Sequence, residues 1–118
     1  MADTPSVSSV MLDCNDLKRE VAFWAELLGL SKTMRFPGYV WLGNLGTGGP
    51  RLAFQKVPEP KTTKNRMHLD LEVADPEALI ARVVALGGSR LEDHEMSGFH
   101  WTVVADPEGN EFCVTPKG

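Results

Sequence analysis

Apolar and polar positions alternate along two stretches of the chain that resemble each other. Val10-Met11-Leu12-Asp13-Cys14-Asn15-Asp16 and Leu69-Asp70-Leu71-Glu72-Val73-Ala74-Asp75 lie 59 residues apart, and their two-residue period is that of a half-buried strand. Each ends in an aspartate able to cap a helix by accepting orphan N–H bonds. The period then becomes helical. After Asp16 the apolar positions are Val21, Phe23, Trp24, Leu27 and Leu28, with Gly29 as the stop. After Asp75, Pro76 takes the first helical position, where its missing N–H costs nothing. Leu79, Ile80, Val83, Val84 and Leu86 form the expected apolar face and Gly87-Gly88 ends it. Three short strands are predicted after each helix: 32–36, 39–44 and 51–57, then 90–93, 99–105 and 111–115. Pro37-Gly38, the glycine-rich segment from Gly46 to Pro50, and Asp106-Pro107-Glu108-Gly109-Asn110 supply the turns.

The pattern predicts βαβββ–linker–βαβββ. The linker is the polar, proline-bearing segment 58–65, between a first module at about 6–57 and a second at about 66–116. Each half is too short to bury both faces of its sheet well, so a single α+β domain over 1–118 is expected.

Strand parity sorts the side chains. Leu69, Leu71 and Val73 face the second helix, leaving His68, Asp70 and Glu72 opposite. Val10, Leu12 and Cys14 face the first helix, leaving Ser9, Met11 and Asp13 opposite. Leu52 and Phe54 go to the core and leave Arg51, Ala53 and Gln55. Phe112 and Val114 go to the core and leave Glu111, Cys113 and Thr115. Cys14 and Cys113 thus point to different faces, which argues against a disulfide. Asp13, Asp70 and Glu72 on helix-free faces must be solvated, paired or functional.

Composition narrows the classes. The chain has 118 residues, 42% hydrophobic and 24% charged, which excludes wholesale disorder. A formal charge of −4 and a pI near 5.3 argue against nucleic acid as partner. No run approaches the ~20 apolar residues of a membrane span. The opening Met1-Ala2-Asp3-Thr4-Pro5 lacks the basic and apolar regions of a secretory signal. Two cysteines make no disulfide framework, and a cytoplasmic location is expected.

The strand-to-aspartate segment 10–16, Phe23-Trp24-Ala25-Glu26-Leu27-Leu28-Gly29, His68-Leu69-Asp70-Leu71-Glu72-Val73 and Asp106-Pro107-Glu108-Gly109-Asn110-Glu111-Phe112 together resemble the vicinal oxygen chelate superfamily of glyoxalase I, bleomycin-resistance proteins and extradiol dioxygenases. Lys64 to Asp70, with its Lys-Asn-Arg-x-His-x-Asp pattern, is similar to short glyoxalase-like proteins. The resemblance covers about residues 7–116. It implies two βαβββ modules whose curved sheets form a cupped cavity with helices outside, and a homodimer. It also implies metal ligands at the first and last strands of each module, here Ser9, Gln55, His68 and Cys113. Of these only His68 is a strong ligand of the family's usual kind, so the metal site reads as dismantled. No cofactor is expected. A divalent metal on His68, Gln55 and Cys113 is the disfavoured alternative, and Asp70 would help a zinc site at Cys113 and His68.

The leading expectation is a metal-free site for a small aromatic or amphipathic molecule, either sequestered or turned over. His68 would be the acid or base, since histidine titrates near neutral pH, and Asp70 would orient it. Gln55, Glu72 and Cys113 would line the site. Arg66, on the side of His68 by parity, would meet an anionic group or pair with Asp70. Trp41 and Trp101, on corresponding strands, would wall a flat ligand, against the plainer reading of packing. The alternatives are a metal-dependent glyoxalase-type lyase, isomerase or dioxygenase using His68, and an interaction module with a vestigial cavity.

Overall fold

Asp16 and Asp75 begin the two helices, as their places before helical apolar runs require. The computed structural model describes residues 4–117. In order these form β1 (Ser9–Cys14), α1 (Leu17–Leu28), β2 (Lys32–Phe36), β3 (Tyr39–Asn44), β4 (Arg51–Lys56), β5 (Asp70–Val73), α2 (Pro76–Ala85), β6 (Ser89–Met96), β7 (Phe99–Ala105) and β8 (Glu111–Pro116). Asp16 accepts the Arg19 N–H at 3.1 Å, and Asp75 accepts the Ala78 N–H at 3.2 Å. Gly29 closes α1 in the left-handed region with φ 66°, which glycine adopts without a Cβ penalty. The reading of Met1-Ala2-Asp3 falls outside the described residues.

The α+β architecture is as expected: two four-stranded mixed sheets, ordered β1-β4-β3-β2 and β5-β8-β7-β6, each with one helix. The chain divides at Pro60 and Lys61 into two compact units, inside the segment that reads as a linker. In each unit the first strand runs parallel to the last, and the other pairings are antiparallel. In the first unit α1 lays Val21, Trp24 and Leu27 over β3 and β4, where Leu42, Leu52 and Phe54 are buried. In the second, α2 brings Ile80 and Val83 against a sheet that buries Val104, Phe112 and Val114. Among the described residues no helix is long and apolar enough to cross a membrane.

Three sequence expectations need correction. The apolar stripe of α2 is narrower than its composition suggests: Val84 is half exposed, and the fully buried positions are Ile80 and Val83. The strand β5 begins at Asp70, so His68 and Leu69 precede it. The strand β6 runs from Ser89 to Met96, longer than 90–93, and turns into β7 through Ser97 and Gly98, both at positive φ. That is the twist a two-residue hairpin favours.

Candidate functional site

The helix-free face of the second sheet gathers the candidate chemistry. The register sets Asp70 opposite Cys113 and Glu72 opposite Thr115. Alternation keeps these side chains on one face, with Leu71 and Val114 on the other. His68 Nδ1 lies 3.0 Å from Asp70 Oδ1. Ligand atoms of His68, Asp70 and Cys113 all lie within 4.8 Å of one another, His68 and Asp70 exposed and Cys113 buried. The Cys113 thiol is pushed above its ordinary pKa by burial first, then by the Asp70 charge and a hydrogen bond with Asp70. It therefore stays a neutral S–H at neutral pH, and Asp70 is the acceptor that links it to His68.

His68 stands in an irregular stretch, and bonds to the start of β8 fix that stretch. The Asn65 N–H donates to Glu111 Oε1 at 3.1 Å, and the Glu111 N–H donates to Asn65 Oδ1 at 3.0 Å. Lys64 Nζ donates to Glu111 Oε2 at 3.3 Å, and Lys61 Nζ stands 3.7 Å from Oε1. The Cys113 N–H donates to the Leu69 carbonyl at 2.9 Å. Asn65 and Glu111 thus set the height of His68 against Cys113. Neither was singled out from sequence. The available signal was parity, which places Glu111 on the Cys113 face, and the asparagine of the Lys-Asn-Arg-x-His segment.

Aromatic groups occupy the same face. Val103 is opposite Cys113, so Trp101, two residues earlier, shares its side. Trp101 stacks on His94 at 5.1 Å between centroids and lies 5.8 Å from the exposed Phe99 ring. Arg66 is exposed and makes no ion pair among the described residues, so the expected pairing with Asp70 goes to His68 instead. Glu72 is exposed.

The helix-free face of the first sheet is different. Trp41 lies opposite Ala53, stacks on Tyr39 at 6.0 Å and donates from Nε1 to Ser9 Oγ at 3.3 Å. Gln55 Nε2 donates to the Tyr39 hydroxyl at 3.1 Å and lies opposite Asp13. Met11 pairs with Ala53 as Asp70 pairs with Cys113. Ala53, not Gln55, is therefore the register counterpart of Cys113, and Ser9 that of His68. An alanine offers no donor, and the Ser9 hydroxyl is already engaged. The hard-ion ligand set that the resemblance implies is not met by these residues. What the second unit holds is a nitrogen, an oxygen and a sulfur donor, a set suited to zinc-like ions.

A family model for the glyoxalase-like domain matches residues 9–115. No curated protein matches the chain significantly in sequence. Among solved structures, a glyoxalase/bleomycin resistance protein/dioxygenase family enzyme from Burkholderia phytofirmans PsJN superposes with a TM-score of 0.77 at 21% identity, covering 95% of this chain and 98% of that one. A glyoxalase-related enzyme from Fulvimarina pelagi gives 0.75 at 24%, over 97% and 89%. A lactoylglutathione lyase from Agrobacterium tumefaciens gives 0.67 at 20%, over 97% and 95%. At these identities the likeness speaks for the fold, and the family match speaks for descent. With a βαβββ pattern in each half and a family match over nearly its whole length, the chain belongs to the glyoxalase-like domain family, within the vicinal oxygen chelate superfamily.

Proposed function

We propose that the second unit carries a metal-free acid–base site that holds a small aromatic or amphipathic molecule. The observation that carries this reading is the 3.0 Å contact between His68 Nδ1 and Asp70 Oδ1 on the helix-free face. A carboxylate that receives Nδ1–H fixes the ring and leaves Nε2 with its lone pair to meet a ligand proton. The neutral Cys113 thiol on the same carboxylate adds a further donor and no charge. Trp101 and Phe99 offer a flat apolar wall on that face. Trp41 and Gln55 supply comparable groups on the first sheet. A homodimer, by likeness to the family, and a cytoplasmic setting, suggested by two free cysteines and no disulfide framework, belong to the same reading.

A second reading is favoured by the three donors within 4.8 Å: His68, Asp70 and Cys113 as ligands of a zinc-like ion, which would act as a Lewis acid on a substrate oxygen. The two readings separate in one experiment. Protein purified without tag or chelator is assayed for metal, then screened for thermal stabilisation by a panel of small aromatic compounds, with and without chelator. A ligand that binds only the folded state must raise the melting temperature. The first reading expects little metal, stabilisation that survives the chelator, and its loss in His68→Ala. Stoichiometric metal whose removal abolishes stabilisation would overturn it in favour of the second. No stabilisation by any compound would favour an interaction module.

A further inference from the structure

The first unit has a groove on its other side, between the first turns of α1 and the β2–β3 hairpin, with a volume of about 540 Å³. That is within the range of about 300–1,000 Å³ typical of small-molecule sites. Leu17 and Val21 from α1 and Val40 from β3 give it apolar walls, and Lys18, Lys32 and Arg35 give it cations. No residue lining it is acidic. None of the three cationic side chains has an ion pair or side-chain hydrogen bond among the described residues. Of the two carboxylates nearest Lys18 in sequence, Asp16 accepts the Arg19 N–H and Glu20 is buried, accepting from Trp24 Nε1. Three unpaired cations beside an apolar wall are unexpected on a chain of net charge −4. With three cations and no carboxylate among its lining residues, the groove is electrostatically suited to an anion. The apolar wall supplies what an inorganic anion could not use.

We infer that this groove binds a small organic anion with an apolar body, such as a medium-chain carboxylate, its oxygens on Lys18, Lys32 and Arg35 and its body along Leu17, Val21 and Val40. The site lies wholly in the first unit and is independent of the His68 reading. The cations give the on-rate and the charge selection, and the apolar contact gives the discrimination against simple salts.

Isotopically labelled full-length protein is titrated with octanoate, acetate and octanol, and backbone amide resonances are followed. Octanoate is expected to move Lys18, Val21, Gly38 and Val40 saturably, while acetate and octanol at the same concentration do not. Lys32→Glu with Arg35→Glu is expected to weaken octanoate about tenfold or more. Both positions are exposed on β2, so the variant should fold. Lys32→Gln with Arg35→Gln should give an intermediate loss. Lys117→Glu, elsewhere on the surface, should change nothing. Absence of saturable shifts, equal shifts with acetate, or octanoate shifts confined to the Asp70–Cys113 face and indifferent to the β2 variants would each overturn the proposal.

Discussion

Asp70 is the residue on which the second unit's polar face turns, because its carboxylate lies 3.0 Å from His68 Nδ1 and is hydrogen-bonded with the Cys113 thiol. Asp70→Asn removes the charge that helps hold the thiol protonated. Alkylation of Cys113 by iodoacetamide, followed peptide by peptide by mass spectrometry, should be slow near neutral pH in the native protein. It should be several-fold faster in Asp70→Asn, its pH profile moving to lower pH; an unmoved profile would show that burial alone sets the thiol. Glu111 makes the second residue-level prediction. Its carboxyl is held below the usual range, chiefly by the Asn65 N–H, with Lys64 and Lys61 adding to this and partial burial opposing it. A lowered folded value stabilises fully above the ordinary carboxylate pKa, and that contribution is lost as the pH falls through the folded value. Glu111→Gln should therefore cost about 1 kcal/mol at neutral pH by chemical denaturation, the deficit shrinking as the solution becomes acid. A deficit constant with pH would mean that the carboxylate charge contributes nothing. The pairing of Asp70 with Cys113 on one face was legible because strand period is strict, whereas His68 joins them from the irregular stretch just before β5. The Asn65–Glu111 pair was not legible, because it joins an irregular segment to a strand 46 residues away.

Among the elements, the helices were the easiest to read. Their starts rest on one side chain each, Asp16 and Asp75, whose oxygens bond within three residues. The edge strand β6 was read short because Arg90, Glu92, Asp93 and Glu95 hide any apolar alternation. It is held instead by pairing with β7 and by polar contacts. Arg90 reaches Glu77 of α2 at 2.7 Å and Asp93 at 2.8 Å, and Thr102 Oγ1 donates to Asp93 at 2.8 Å. A charged edge of this kind also discourages pairing with another chain. Glycines at helix ends show why pattern alone underrates some positions. Gly29 has the left-handed φ but open space around it, so Gly29→Ala should cost about 1 kcal/mol from backbone strain. Gly88 has no such φ, yet a Cβ there would collide with the Ala105 carbonyl oxygen and lie 2.8 Å from Val83 Cγ1. Gly88→Ala should be the worse of the two, roughly 2–3 kcal/mol, because the end of α2 must move off β7. Equal losses in urea denaturation would show that the α2–β7 approach yields easily.

At the scale of the whole molecule, the two repeats share a topology and divide the charge unequally. Residues 1–60 hold six basic and six acidic residues, whereas 61–118 hold six basic and ten acidic, so all of the net −4 resides in the second half. The architecture was legible because the repeat doubles every signal. The divergence of the two sites was legible in part: the repeat offset already sets Ser9 where His68 stands, but that Ala53, not Gln55, stands where Cys113 does depends on register. The charge division bears on the ligand. The face around His68 presents Asp70 and Glu72, both exposed; the neighbouring Lys61 and Lys64 are engaged with Glu111, and Arg66, two residues before His68, makes no ion pair among the described residues. A carboxylate ligand would meet repulsion there that a neutral or cationic molecule of the same shape would not. Benzylamine, benzyl alcohol and benzoate share a ring and differ in charge. The indole resonance of Trp101 should respond to benzylamine most strongly and to benzyl alcohol next, and least to benzoate. Added salt should weaken benzylamine and leave the alcohol unchanged, since only the charged interaction is screened. In Asp70→Asn the preference for benzylamine should fall while the response to benzyl alcohol remains. If benzoate bound best, and Arg66→Gln abolished it, Arg66 rather than the carboxylates would govern selection, and the acid–base pair would serve an anionic substrate.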